Sequence, residues 1–122
     1  MGYFLGKNNF MQAILLDEIT EGEKFHLSRR RKGLTQAQSS KLLAFPVVSI
    51  RDMEMGNLPV PKSLEVDLNA TDSELCYIAR RRSGLTQRQL ATRLGKSHVA
   101  IIKMESGEWN CELILEYFKN MS

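Results

Sequence analysis

The sequence has few of the residues that build metal centres, disulfide frameworks or membrane spans. Its two cysteines, Cys76 and Cys111, lie in no Cys-X-X-Cys motif and have no histidine at ligand spacing. We therefore expect free thiols, no metal and no other cofactor. Cys76 stands among apolar positions and is predicted to be a small buried side chain. The aliphatic run at residues 13–16 is too short for a bilayer span or a signal-peptide core, so we expect a cytoplasmic protein without a membrane partner.

Motifs of catalytic sites are also missing. His26 and His98 stand in unrelated contexts, no nucleophile has a base at motif spacing, and no glycine-rich loop could cradle a phosphate. We therefore expect that the protein is not an enzyme. With 43% hydrophobic and 25% charged residues among 122, the composition is that of a globular protein with one domain or two small ones.

Basic residues are concentrated in two regions of the chain. The net charge of +3 and the pI near 9.0 are compatible with nucleic-acid binding without requiring it. Residues 29–32 and 80–82 are basic, as are several positions between 88 and 103, whereas residues 17–23 and 65–74 contain acidic residues and no basic ones. These clusters either form a nucleic-acid surface or are solvated helix faces.

From residue 20 the chain repeats itself. A shift of 51 positions without a gap aligns Thr20 with Thr71, residues 33–36 with 84–87, and Gly56 with Gly107. This pattern indicates a tandem duplication. Each copy begins with a capping box, at residues 20–23 and 71–74, and its first helix is predicted to end at Gly33 or Gly84.

The segment 80–107 has the pattern of two helices joined by a tight turn. Thr86 can cap a helix, Gly95 allows the turn, and Ser97 can cap a second helix that buries Ile101 and Met104. With its Gly-Leu-Thr-Gln, Gln-Leu-Ala and Leu-Gly motifs, the segment resembles the repressor/Cro-type (XRE) helix-turn-helix family.

The resemblance implies an all-α fold with two tandem lambda-repressor-like helix-turn-helix domains, at residues 20–68 and 69–122. They follow an N-terminal arm, residues 1–19, which is either extended or a β-strand. The implied function is a sequence-specific regulator of transcription, usually a repressor, whose partner is double-stranded DNA. Helices near 46–54 and 97–105 would read the major groove. No small-molecule ligand is expected.

The second helix of each copy supplies the predicted DNA-reading side chains. By resemblance to the family, the base-reading residues are His98, Val99, Ile102 and Lys103, with Val47, Val48 and Arg51 in the first copy. The phosphate-binding residues are expected to be Gln87, Ser97, Arg88, Arg93 and Lys96, with Gln36 in the first copy. The alternative for His98 is an exposed histidine without a role.

The first copy departs from the family pattern. Ser39 and Ser40 replace the Leu-Ala pair, Ala44 replaces the turn glycine, and Pro46 replaces the capping serine. Asp52 would be repelled by phosphates unless it accepts a hydrogen bond from cytosine. The first copy either reads DNA or has become a dimerisation or packing module.

One arginine and one glutamate recur at the same places in both copies. In the proteins that this chain resembles, they form a largely buried ion pair, which predicts the pairs Arg29–Glu54 and Arg80–Glu105. Their role is expected to be structural, since removing one partner leaves a buried charge.

The segments outside the repeat leave other functions open. The proline-containing link after Gly56 is predicted to be a short helix from Lys62 or an extended chain. Asn110 is predicted to cap a terminal helix that carries Leu113, Ile114 and Phe118. A homodimer through the arm or this helix is an alternative, as is an antitoxin-like or DNA-processing accessory protein in which one copy contacts another protein.

Overall fold

Capped helices separated by glycine turns make up residues 19–120, the part of the chain that the computed structural model describes. Seven α-helices and one 3-10 helix lie in this range, which contains no strand, so the predicted all-α class is confirmed there. The chain divides into two compact units. We call residues 19–69 the first unit and residues 70–120 the second unit. The predicted arm falls outside the described residues except for Ile19.

The first unit contains three α-helices and a 3-10 turn. These are α1 (Glu21–Arg31), α2 (Gln36–Leu43), α3 (Val47–Met55) and the 3-10 helix Lys62–Leu64. Helices α1 and α2 both pack on α3, and Phe25, Ile50 and Met53 form a buried core. Leu64 and Val66 pack against this core. The segment predicted as a link is therefore a short helix that continues as extended chain and covers the first unit.

The second unit contains four α-helices. These are α4 (Asp72–Arg82), α5 (Gln87–Leu94), α6 (His98–Ser106) and α7 (Glu112–Lys119). The first three begin 51 positions after α1, α2 and α3 and have the same lengths. Helix α7 packs on α4 and buries Ile114 and Phe118. Its N-cap position is Cys111, one residue later than predicted, although Asn110 Oδ1 accepts a hydrogen bond of 2.7 Å from the Glu112 N–H.

Threonine capping boxes start four of the helices. Those at Thr20 and Thr71, which pair with Glu23 and Glu74, are confirmed. Two more, not predicted, join Thr35 to Gln38 at α2 and Thr86 to Gln89 at α5. In each box the hydroxyl and the side chain three residues later satisfy amide groups that lack partners within the helix. The starts of α2 and α5 are therefore defined by side chains of their own first turn.

The cysteines are free and buried. The Cys76 thiol lies 3.9 Å from the Cys111 carbonyl oxygen, and burial raises its pKa. Cys76 is therefore the small buried side chain that its apolar neighbours predicted. Among residues 19–120, no cluster of histidine, cysteine and carboxylate side chains could hold a metal ion. No helix in the same range is long and apolar enough to cross a membrane.

Candidate nucleic-acid interface

Helices α5 and α6 are joined by a tight left-handed turn. Gly95 ends α5 with φ 66° and ψ 33°, a conformation that glycine adopts without strain. The Ser97 hydroxyl then accepts a hydrogen bond of 3.1 Å from the Ala100 N–H and caps α6. The predicted turn and both predicted caps, Thr86 and Ser97, are confirmed.

Helix α6 has one buried face and one exposed face. Ile101 and Met104 are buried as predicted. Val99 and Ile102 are exposed, and His98 and Lys103 are half-buried. Because these four side chains follow one another at helical spacing, they form an outward surface at the N-terminal part of α6. The structure thus places the four predicted base-reading residues of the second copy together.

The other predicted phosphate-binding residues of the second unit lie on α5 and in the turn before α6. Arg88, Arg93, Lys96 and Ser97, four of the predicted phosphate-binding residues, are exposed. Arg93 donates a hydrogen bond of 3.0 Å to the Tyr117 hydroxyl on α7. This contact, which the sequence did not predict, joins the last turn of α5 to α7.

Gln87, one of the predicted phosphate-binding residues, has hydrogen-bond partners within the second unit. Its Nε2 donates a hydrogen bond of 3.0 Å to Glu105 Oε1, and its Oε1 lies 3.3 Å from His98 Nε2. Both ends of the amide are therefore engaged within the second unit. Gln87 connects an outward side chain, His98, to a buried carboxylate.

That carboxylate belongs to a buried ion pair. Glu105 has no exposed surface and accepts hydrogen bonds of 2.6 and 3.1 Å from Nε and Nη2 of Arg80. The third nitrogen of Arg80, Nη1, donates a hydrogen bond of 2.8 Å to the Leu85 carbonyl oxygen. Because each of the three guanidinium nitrogens donates a hydrogen bond, the pair fixes the end of α6 against α4. The expected ion pair is thus present.

Lys103 has a neighbour that the sequence did not predict. Its ammonium lies 5.3 Å from the centre of the Trp109 ring, within range of a cation–π interaction. Backbone hydrogen bonds of 3.0 and 3.1 Å from Glu108 and Trp109 to the Lys103 carbonyl hold the loop in place. The indole therefore lies beside the outward surface of α6.

The corresponding surface of the first unit has a different chemistry. Val47, Val48 and Arg51 are exposed, as predicted for base-reading positions. Arg51 Nε lies 3.7 Å from Asp52 Oδ1. Gln36, the predicted phosphate ligand, is half-buried and donates a hydrogen bond of 3.1 Å to Glu54. The side-chain amides of Gln36 and Gln87 thus have equivalent internal partners.

The turn between α2 and α3 has alanine where the turn between α5 and α6 has Gly95. Ala44 adopts φ 59° and ψ 39°, and it is the only residue other than glycine with positive φ in the range 19–120. Pro46 occupies the N-cap of α3 and makes no side-chain cap. The hydroxyl of Ser40 donates a hydrogen bond to the Phe45 carbonyl oxygen. The turn between α2 and α3 therefore has nearly the same backbone conformation as the Gly95 turn, although the N-cap of α3 lacks a capping side chain.

A histidine joins the buried ion pair of the first unit. Glu54 accepts hydrogen bonds from Arg29 Nε at 2.5 Å and from His26 Nδ1 at 2.7 Å. Burial alone would raise the pKa of Glu54, but the hydrogen bonds from Arg29, His26 and Gln36 outweigh it and lower the pKa to about 2. The carboxylate is therefore charged at neutral pH.

Comparison with known proteins supports the assignment of the second unit. Residues 77–108 match the Helix-turn-helix family model. The match spans the end of α4, all of α5 and α6, and the start of the following loop. It indicates a DNA-binding domain of a transcription regulator and lies within the second unit. No curated protein and no solved structure matches the chain.

Proposed function

We propose that the protein is a sequence-specific DNA-binding regulator of transcription and that α6 of the second unit reads the major groove. The observation that carries this proposal is the surface of α6 with its four outward side chains, together with the exposed cations on α5 and in the turn before α6. An α-helix fits the major groove when its N-terminal side chains reach base edges and basic neighbours meet the backbone. The family match over residues 77–108 supports the same surface.

The side chains of α6 suit distinct base edges. Lys103 can donate to guanine O6 or N7, whereas Val99 and Ile102 can pack on thymine methyl groups. Lys103 must leave the Trp109 ring to reach a base, which costs about 0.5–1 kcal/mol for an exposed cation–π pair. A good contact with guanine discriminates by about 1–3 kcal/mol, so the exchange favours the bound state.

His98 reaches the groove in a defined orientation. Because its Nε2 lies 3.3 Å from Gln87 Oε1, a hydrogen bond between the two side chains can fix the orientation of the ring. We propose that Gln87 orients His98 and contributes to phosphate binding through its backbone N–H at the start of α5.

Three cations would contact phosphates. Arg88, Arg93 and Lys96 are exposed on α5 and in the turn that leads into α6, and contacts of this kind provide affinity with little sequence information. If each neutralises one phosphate, the logarithm of the binding constant falls by about 3 per tenfold rise in salt.

The regulatory outcome that we favour is repression of a promoter, because the family resemblance implies it most often. Activation and DNA processing would use the same surface. In the tandem hypothesis the first unit reads a second, unlike half-site through Val47, Val48 and Arg51. Such a function agrees with the cytoplasmic location expected from the sequence.

Selection from a pool of random DNA duplexes tests the proposal. The purified full chain is expected to enrich a motif, and Lys103→Ala should relax one position of that motif with a loss of about 1–3 kcal/mol. Lys62→Ala removes the same charge from an exposed site outside the surface and serves as the matched control. Arg88→Ala should weaken all sequences alike and reduce the salt slope by about 1.

The same selection can contradict the proposal. If no sequence is enriched and retention disappears with modest added salt, sequence-specific regulation is wrong. If Arg51→Ala relaxes a second, unlike half-site, the first unit also reads bases and the tandem hypothesis holds.

A further inference from the structure

A hollow of about 230 Å³ lies in the first unit between α1, α2 and the segment 63–66. Its walls include the buried ring of Phe25 and the half-buried side chains of Leu43 and Val66. It is partly open to solvent, and Lys32 and Glu65 are exposed members of its lining. We call this space the α1–α2 hollow. It combines apolar walls with a polar mouth.

A comparison with the second unit explains why this space is open. Ser39 lines the hollow and stands where the second unit has Leu90, which has no exposed surface. Phe25 replaces Cys76 and returns part of the lost volume. After its third helix the second unit forms α7, whereas the first unit forms only the 3-10 helix and an extended chain. The packing that closes the second unit is therefore incomplete in the first.

Ser39 also brings an unused hydroxyl group to the hollow. Its side chain is buried, with 5% of the residue exposed, and its hydroxyl forms no hydrogen bond with any residue in the range 19–120. Every completely enclosed side-chain nitrogen or oxygen in that range has a hydrogen-bond partner. The Ser39 hydroxyl must therefore reach the open space of the hollow. Because buried polar groups in proteins are normally hydrogen-bonded, this hydroxyl is available to a ligand.

The charges around the hollow favour a ligand without net charge. Arg29 lines the hollow, but its guanidinium is paired with Glu54. Lys32 and Glu65 contribute opposite charges at the mouth. A charged ligand would lose hydration inside apolar walls without gaining a buried counter-charge. The lining therefore selects an apolar body with a neutral hydrogen-bonding group.

We infer that the α1–α2 hollow binds a small uncharged aromatic alcohol of the phenol class. An apolar cavity of about 150 Å³ holds benzene, so the larger hollow has room for a ring that carries a substituent. The ring of Phe25 can pack edge-to-face or offset against the ring of the ligand. The ligand hydroxyl can donate a hydrogen bond to Ser39 Oγ or accept one from it. A phenol stays neutral at pH 7 because its pKa is about 10.

The size of the hollow favours a small molecule over a protein partner. Stable protein interfaces bury about 800 Å² on each partner, whereas this hollow has room for one substituted ring. Sequence spacing alone indicates no small-molecule ligand, because the hollow forms only where α1, α2 and the segment 63–66 pack together. The site lies in the first unit, so it is separate from the surface of α6 that we propose reads DNA.

Nuclear magnetic resonance of the nitrogen-15-labelled full chain tests the inference. Titration with 4-methylphenol should shift the amide signals of Ser39, Leu43 and Val66 saturably, with a dissociation constant of about 1 mM or below. The amide signals of the second unit should not move. Toluene lacks the hydroxyl and should bind about threefold to tenfold more weakly. Benzoate has a similar size but a negative charge, so it should bind at least about tenfold more weakly.

Substitutions of Ser39 separate the roles of the hydroxyl and of the space. Ser39→Ala keeps the hollow and removes the hydroxyl, so 4-methylphenol should weaken about threefold to tenfold while toluene changes by less than about twofold. Ser39→Leu introduces the residue of the second unit and should abolish the binding of both ligands. Ser49→Ala is the matched control, because Ser49 is half-buried on α3 and does not line the hollow. Circular dichroism checks that the helices remain in each variant.

Several outcomes would overturn the inference. The absence of saturable shifts up to about 10 mM 4-methylphenol excludes a site of the expected strength. Shifts that persist in a folded Ser39→Leu variant place the ligand elsewhere. Equal binding of toluene and 4-methylphenol by the wild type removes the hydroxyl from recognition, and tighter binding of benzoate would make the hollow an anion site. These titrations contain no DNA, so failure of the ligand site and failure of DNA binding are separate results.

Discussion

The left-handed turn at Ala44 leads to a prediction with an internal control. Ala44 has φ 59° and ψ 39°, and its equivalent in the second unit, Gly95, has φ 66° and ψ 33°. A side chain in this region costs about 1–2 kcal/mol, whereas glycine adds about 0.4–1 kcal/mol of conformational freedom to the unfolded chain. Ala44→Gly should therefore stabilise the first unit by about 1 kcal/mol, and Gly95→Ala should destabilise the second unit by a similar amount.

Gly95→Ala is a suitable control because the added methyl group causes no steric clash. No atom lies within 4 Å of the position that a Cβ would occupy there, so backbone conformation alone sets the effect. For a small domain, about 1 kcal/mol corresponds to about 4–8 °C in Tm.

Urea and thermal unfolding can follow the two substitutions separately. Trp109, the single tryptophan, belongs to the second unit, and residues 19–69 contain neither tryptophan nor tyrosine. Tryptophan fluorescence therefore follows the second unit, whereas far-UV circular dichroism follows all helices. Fluorescence should report the loss in Gly95→Ala, and circular dichroism the gain in Ala44→Gly. A destabilised Ala44→Gly variant, or a Gly95→Ala variant of unchanged stability, would refute the strain at this turn.

The remaining predictions concern buried contacts. The lowered pKa of Glu54, about 2 against 4.5, stabilises the folded state above pH 4.5, and about 3 kcal/mol should be lost as the pH falls to 2. Glu54→Gln should flatten this acid dependence in circular dichroism, and an unchanged profile would contradict the shift. Glu105→Gln leaves Arg80 without its counter-charge and should lower the free energy of unfolding by about 3–5 kcal/mol, as measured by fluorescence-monitored unfolding. A loss below about 1 kcal/mol would mean that the pair contributes no more than an exposed ion pair does. Gly22→Ala places a methyl group against the Met53 carbonyl and should destabilise the first unit by about 1–3 kcal/mol. Unaltered urea unfolding would show that α1 and α3 can move apart without cost.

Features that depend on residues close in sequence could be predicted. The boxes at Thr20 and Thr71 join positions three apart, and Gly95 lies in a turn that few other residues adopt. The burial of Ile101 and Met104 follows from helical periodicity. In each case the partner or the constraint lies within one helical turn, so the local sequence contains the necessary information.

Contacts between distant side chains could not be predicted in the same way. His26 meets Glu54 across 28 residues, and the Gln87 amide turns inward to Glu105 across 18. Each depends on how two helices pack and on which rotamer satisfies a buried carboxylate. The family resemblance directed attention to Gln87 as a phosphate ligand, and only the structure revealed its internal partner. The contact of Lys103 with Trp109 could not be predicted either, because the residue spacing of the helix-turn-helix pattern does not indicate it.

The hydrogen-bonded series His98, Gln87, Glu105 and Arg80 has a consequence for how the protein can change its specificity. Its outer end lies on the surface that we propose reads DNA, and its inner end lies in the core. A substitution at His98 changes the hydrogen bonding of Gln87. A substitution at Arg80 changes, through Glu105 and Gln87, the side chains that are presented to the groove. Selection for a new operator should therefore recover compensating changes at buried positions, and a library restricted to exposed residues of α6 would miss them.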